Sequence, residues 1–401
     1  MRSLEDYRGI VGDKIIADIH RKARRLYNKH ILNINSTCLG GGVAEMLTSF
    51  TPLMNDIGVD TGWRLLHGNP DFFSITKKFH NALQGDPINL TDIKKKLYIQ
   101  ANENFSSYTH IDHDCVIIHD AQPLPLIRFY KKRQPWVWRC HVDLSAPNKE
   151  LWRFLESFIL RYDVVIISDE SYRTALPIDQ RVIHPTIDPL SPKNKDISGA
   201  VVSKYLKKFG IPMDKPLITQ VSRFDKWKGQ KGVLKAFEIV KQEVDCRLVF
   251  CGSMATDDPE GMAIYDQVRE KAKRWIERGD VILITYDNDI LVNALQRQSS
   301  VILQKSIREG FGLAVTEAMW KERPVVASKV GGIPLQITDG ENGFLVGSDD
   351  VEKTAEKVLT ILKNPDLARD MGKKGKEFVK GHFLITRTIL DYLDLLGELL
   401  S

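Results

Sequence analysis

Along most of the chain, apolar runs of four or five residues alternate with longer stretches whose apolar positions recur every three or four residues. The runs suit strands buried on both faces, and the longer stretches suit amphipathic helices. In the first half the runs predict strands at His30–Asn35, Gly58–Arg64, Cys115–His119, Trp136–His141 and Val164–Ser168. In the second half they predict strands at Leu217–Val221, Arg247–Cys251, Val281–Thr285, Val301–Gln304 and Pro324–Ala327. Helical spacing covers Leu4–Leu26, a segment from Val43, and a polar region at 69–103 expected as a helical insertion over a cleft. It returns around Val233, Ala236, Phe237 and Val240, and at 260–277, 289–298 and 312–321. After Asp350 the pattern is helical throughout, ending with Ile385, Ile389, Tyr392, Leu393 and Leu396 on one stripe. Strand–helix alternation in this rhythm means parallel sheets covered on both faces, an α/β protein.

The stretch P-T-I-D-P-L-S-P-K-N-K-D, Pro185 to Asp196, is the best domain boundary. A length of 401 residues suits two domains. The expected domains are 1–190 and 197–380, with a last helix, 381–401, returning to the first. A net charge of +5 is compatible with a small anionic substrate and too weak to argue for nucleic acid. The five cysteines are scattered without a C-x-x-C spacing, as expected of reduced thiols. The N-terminus lacks an apolar signal core and no run of about 18 apolar residues occurs, so a cytoplasmic protein without a membrane partner is expected.

The candidate chemistry centres on S-I-R-E-G-F-G-L-A-V-T-E-A-M-W, Ser306 to Trp320. A strand, a glycine turn and a helix start bring backbone N–H groups and the positive end of a helix dipole to one point, which suits a phosphate. Glu309 and Glu317 flank it, and carboxylates accept hydrogen bonds from sugar hydroxyls. Phosphate donors beside hydroxyl acceptors suggest a nucleotide sugar; a plain strand–helix unit with two solvated glutamates remains the alternative. Gly40, Gly41 and Gly42 form a second glycine turn after a strand, but not a G-x-G-x-x-G fingerprint. Arg223 and Lys228 stand in a strand–helix loop, where a fork and a point charge suit a diphosphate. His141 and Asp143 stand at the end of the Trp136–His141 strand and suit an acceptor-sugar site, or a histidine satisfied by a nearby carbonyl. No metal site is read from H-V-D or H-D, which lack zinc-site spacing.

With R-F-D-K-W-K-G, E-G-F-G-L-A-V-T-E-A and V-G-G-I-P in this order, the chain resembles the retaining GT-B glycosyltransferases of family 4. That resemblance implies two Rossmann-like domains with parallel sheets facing across a cleft, the donor on the C-terminal domain and the acceptor on the N-terminal one. It implies that Arg223 and Lys228 hold the donor diphosphate, Glu317 the ribose, and Glu309 the donor sugar. The backbone of Gly310, Phe311, Gly312 and Leu313 would meet sugar and phosphate, Gly40–Gly42 the phosphate, and His141 the transferred sugar. The motifs N-S-T-C-L-G-G-G-V-A-E, F-H-N-A-L-Q-G and W-R-C-H-V-D-L-S-A-P further resemble the trehalose-forming synthases, with trehalose phosphorylases as near relatives. The implied reaction joins glucose from UDP- or ADP-glucose to free glucose. The alternatives are a phosphorylase using phosphate and α-glucose 1-phosphate, or a sugar-nucleotide binding protein or epimerase of the same fold. No tightly bound cofactor is implied; the nucleotide sugar is a co-substrate, Mg2+ at most a stimulating ion, and a homodimer is compatible.

Overall fold

In the computed structural model, which describes residues 2–38, 41–252 and 259–401, the chain forms two compact units. One comprises Met1–Thr186 with Ile385–Ser401, the other Ile187–Leu384. Each is built on a six-stranded sheet in which every neighbouring pair is parallel.

The first sheet holds β1 (His30–Asn35), β2 (Asp60–Leu65), β3 (Cys115–His119), β4 (Trp136–Arg139), β5 (Val164–Ile167) and β6 (Asp179–Val182). Their order is β2-β1-β3-β4-β5-β6. The chain therefore steps from β1 to one side, then returns to place β3 on the other. Open parallel sheets offer a ligand crevice at the carboxyl ends of the strands beside such a reversal. Every residue of β3 is buried, as its unbroken apolar run requires.

The second sheet holds β7 (Leu217–Val221), β8 (Arg247–Cys251), β9 (Val281–Ile284), β10 (Val301–Gln304), β11 (Val325–Ser328) and β12 (Phe344–Val346). Their order is β12-β11-β10-β7-β8-β9, so the reversal falls between β7 and β10. Alternate residues of one strand point to opposite faces. Ile218, Leu248 and Phe250 accordingly join one apolar cluster, while Leu217, Val249 and Cys251 join another.

Two sequence expectations are corrected, and several elements lie outside the predicted ones. The region 69–103, expected as a helical insertion, is two helices, Pro70–Leu83 and Asp92–Tyr108, that belong to the first unit's core. Their Phe72, Phe79, Tyr98 and Phe105 are buried in that unit's core, with the Phe79 and Tyr98 rings 4.9 Å apart. The helix expected over Leu4–Leu26 is broken at Gly12, whose φ of 83° interrupts it before Asp13–Ala23. β6 and β12 carry no run long enough to stand out, and backbone pairing to β5 and β11 defines them. Helices Lys149–Ile159 and Gly199–Lys208 are likewise not among the predicted elements.

After Asp350 the chain is helical as expected, in Val351–Lys363, Pro365–His382 and Ile385–Leu399. All five stripe residues of the last helix are buried, and Tyr392 meets the Phe50 ring at 4.8 Å. All five cysteines are free thiols, four of them buried. Among the described residues, no helix is long and apolar enough to cross a membrane.

Candidate active site

In the second unit two of the predicted residues meet at the reversal. Lys228 follows β7 and Glu309 follows β10, and their side chains meet: Lys228 Nζ donates to Glu309 Oε1 at 2.8 Å and Oε2 at 2.6 Å. Ser306 Oγ donates to Glu309 Oε2 at 2.9 Å, and Gln304 Nε2 donates to the same oxygen at 3.1 Å. Burying a carboxylate to 9% exposure is costly without such donors. The Lys228 turn is held locally. Asp225 Oδ1 accepts from Trp227 N at 2.9 Å, and Gln220 Nε2 donates to the Lys228 carbonyl at 2.7 Å. Gly229 follows at a φ of 65°, and a Cβ there would stand 2.0 Å from the Lys305 carbonyl oxygen. Only glycine lets the two turns approach so closely. Arg223 belongs to the same loop but is exposed, its carbonyl accepting from Gln230 Nε2 at 2.8 Å.

The turn Gly310–Leu313 leads into helix Leu313–Trp320, whose first N–H groups have no side-chain cap and whose preceding Gly312 has a φ of 88°. Helix Gln230–Val240 after Gly229 and helix Gly42–Asp56 after Gly41 begin the same way. By contrast, Asn69, Thr91, Asn148, Ser198, Asn288 and Asp350 cap other helices with their side chains. Uncapped N–H groups at strand–helix turns can receive an anion, although helix Asp13–Ala23 shows that a bare glycine start also occurs elsewhere. Phe311 is buried, with its carbonyl taken by Gln336 Nε2 at 2.6 Å. Glu317, 3% exposed, accepts from Gln296 Nε2 at 3.4 Å and lies 3.8 Å from Lys193 Nζ.

In the first unit Gly41 and Gly42 stand after β1 as expected, while Gly40 lies outside the described residues. His141 is half-buried just beyond β4, and among the described residues no carbonyl satisfies its ring: its Nε2 lies 3.0 Å from His119 Nδ1. His119 Nε2 in turn lies 3.0 Å from Asn33 Oδ1. Burial pushes the His119 imidazole down to about 3, with the Arg139 guanidinium acting in the same direction. Burial, then Arg139 and His119, hold His141 well below the usual imidazole range. Asp120 closes the end of β3 at a φ of 61°, and its Oδ1 accepts from His141 N at 2.8 Å. Burial raises its carboxyl to about 6, against the pull of that N–H and of Arg139. Asp143 is buried, and its Oδ1 accepts from Ser145 N at 2.8 Å, on its own loop.

Asn33 and Gln304 were not singled out from sequence. A polar residue inside an otherwise apolar strand, as in H-I-L-N-I-N, was the available signal for Asn33. A hollow of about 660 Å³ in the second unit, lined by Lys235, Glu238, Arg274, Trp275 and Asp349 among others, shares no residue with the Lys228–Glu309 cluster.

The profile described as "Trehalose synthase, N-terminal domain" matches residues 33–174, and that described as "Glycosyl transferases group 1" matches residues 201–378. A trehalose synthase of Thermococcus litoralis is 47% identical over 402 residues, covering 99% of this chain and 97% of its own. The chain belongs to the trehalose synthase family of glycosyltransferases. A second member, the trehalose synthase of Rubrobacter xylanophilus, is 40% identical over 100% of this chain and 98% of its own. The family's fold is GT-B. A UDP-forming α,α-trehalose-phosphate synthase from Burkholderia xenovorans, solved with glucose-6-phosphate, superposes with a TM-score of 0.75 at 13% identity, covering 92% of this chain and 100% of that one.

Proposed function

We propose that this glycosyltransferase makes trehalose, transferring glucose from a nucleoside-diphosphate glucose to free glucose with retention at the anomeric carbon. One observation carries the reading. A chain similar from end to end to trehalose synthases also assembles Lys228, Glu309 and an uncapped helix start at the reversal of its second sheet. In this reading Lys228 and Arg223 neutralise the diphosphate, the first N–H groups after Gly312 receive a phosphate oxygen, and Glu317 accepts from the ribose hydroxyls. Glu309, held by Lys228, Ser306 and Gln304, sets the position of that cation and accepts from the donor glucose.

Retention by double displacement needs a carboxylate close to the anomeric carbon. Asp143 turns to the backbone of its own loop, which favours a front-face route. There the bond from the anomeric carbon to the diphosphate oxygen breaks while the bond to the acceptor hydroxyl oxygen forms on the same face. The hydroxyl proton passes to the departing diphosphate. The protein contributes position and charge stabilisation of the leaving group. On the first unit Asp120 and His141 accept hydrogen bonds from sugar hydroxyls, and Gly41 and Gly42 lie against phosphate. Any Mg2+ acts on the diphosphate as a stimulating ion.

The test is incubation with UDP-glucose or ADP-glucose and carbon-13 glucose, followed by carbon NMR. A labelled α,α-1,1 disaccharide with free nucleoside diphosphate is the expected result. Product only from α-glucose 1-phosphate would replace this reading with a phosphorylase. Interconversion of the nucleotide sugar would replace it with an epimerase, and donor uptake without chemistry with a binding protein.

A further inference from the structure

Three polar side chains from neighbouring strands form one line at the carboxyl end of the first sheet. Asn33 on β1 and His119 on β3 are fully buried, and His141 lies just beyond β4. Each has one separation of 3.0 Å to the next. We infer that Asn33 and His119 are positioning residues that hold His141 as its Nε2–H tautomer, so that the Nδ1 lone pair is what it offers to a sugar hydroxyl. This rests on the proposed reading in which His141 meets the transferred sugar.

The direction of the line follows from the amide. Asn33 Nδ2 reaches the Gly62 carbonyl at 3.4 Å, which leaves Oδ1 towards His119. A flipped amide would set its oxygen against that carbonyl. An amide oxygen only accepts, so His119 Nε2 carries the proton and its Nδ1 is a lone pair. That lone pair accepts from His141 Nε2–H, and a neutral His141 is then bare at Nδ1. The ring geometry agrees. The planes differ by 21°, and the 5.3 Å centroid separation is close to the 3.0 Å contact plus one ring radius at each end. The rings meet edge to edge, as an in-plane N–H···N bond demands.

The line holds only while both rings are neutral. A doubly protonated His119 would turn its Nδ1 into a donor and force the other tautomer on His141. Burial and the fully buried Arg139 guanidinium oppose that, and both imidazoles are depressed accordingly. The acidic groups nearby are Asp120, whose Oδ1 takes the His141 backbone N–H, and Asp143, whose Oδ1 takes Ser145 N. Among the described residues no side chain or backbone group takes His141 Nδ1. A ligand hydroxyl donates to that atom and keeps its own lone pairs for other donors.

The test is long-range proton–nitrogen NMR on full-length protein labelled at its ten histidines, with His119→Gln and His141→Gln used for assignment. Both rings are expected as neutral Nε2–H tautomers from pH 8 to about pH 5. A proton on His141 Nδ1, or ordinary titration of either ring, would overturn the inference. Asn33→Leu removes the acceptor and is expected to mix the tautomers and lower kcat/KM roughly tenfold. Asn33→Asp keeps an acceptor and should retain the Nε2–H form while moving the His119 titration upward. A folded Asn33→Leu protein with unmixed tautomers, or with mixed tautomers and unchanged kcat/KM, would also overturn it. The NMR readout needs no turnover, so wild-type protein with the expected tautomers and no disaccharide product would fail the function reading and not this one.

Discussion

Lys228 and Glu309 grip each other through both carboxylate oxygens, at 2.8 and 2.6 Å, across 81 residues of sequence. The contact exists because β7 and β10 are neighbours at the point where strand order reverses. The cation assigned to the donor diphosphate is thus already neutralised by a carboxylate. That carboxylate keeps Ser306 and Gln304 as partners if the ammonium turns to a phosphate. Donor binding then becomes an exchange of partners at Lys228.

Glu309→Gln tests the exchange. The amide keeps the shape and the Ser306 contact but releases the full charge of Lys228. Nucleoside diphosphate should bind roughly tenfold more tightly, because the competing carboxylate is gone. Turnover should fall roughly 10- to 100-fold, because the ammonium is no longer positioned against the leaving group. Titration calorimetry with the nucleoside diphosphate, beside initial rates, separates the two effects; weaker binding would mean that the pair preorganises Lys228 instead.

Arg223→Ala and Lys228→Ala should divide activity from stability. Arg223 is exposed, so its loss should change stability by only about 0.5 kcal/mol while lowering kcat/KM roughly 100-fold. Lys228→Ala leaves Glu309 buried with its main countercharge removed, and should cost about 3 kcal/mol as well as activity. Urea unfolding and initial rates on the same preparations would show the contrast. A near-normal turnover number in both variants would remove the diphosphate role.

Much of the fold was legible because a parallel strand buried on both faces is predominantly apolar. The runs at β3, β8 and β10 have every residue buried. The edge strand β6, D-Q-R-V, and the three-residue β12 carry no such constraint. At the site, the glycines and cations stood out because a phosphate turn concentrates them locally. The contacts between them did not, since the Lys228–Glu309 pair and the His119–Asn33 contact join residues 81 and 86 positions apart. Strand order sets such pairs, and no local pattern encodes it.

The Asp120–His119–His141 group should make stability depend on pH with opposed contributions. Burial raises Asp120 to about 6 from an ordinary value of 3.8, so between those values the folded state binds the extra proton and stability falls as pH rises. His119 is depressed to about 3 from 6.5, and His141 is depressed too. Below pH 6.5 the unfolded chain gains protons on both imidazoles that the folded chain refuses, so their contribution is lost as pH falls. Two imidazoles outweigh one carboxyl, and the urea midpoint should drop from pH 6.5 towards pH 4. Asp120→Asn removes the opposing contribution and should steepen the drop. A shallower profile in that variant would contradict the raised Asp120.

Gly229→Ala tests whether close approach of the two turns, and not a glycine conformation alone, builds the donor site. Gly210 is the control: its φ of 67° nearly equals the 65° of Gly229, but a Cβ there would meet nothing within 4 Å. Gly210→Ala should therefore cost only the left-handed strain, about 1 kcal/mol, and leave the donor KM unchanged. At Gly229 the same methyl group would stand 2.0 Å from the Lys305 carbonyl oxygen, so either the Lys228 turn or the end of β10 must move. Moving either separates Lys228 from Glu309. Gly229→Ala should cost about 2–4 kcal/mol and raise the donor KM roughly tenfold. Equal effects of the two substitutions in urea unfolding and donor titration would show that backbone strain alone accounts for the glycine.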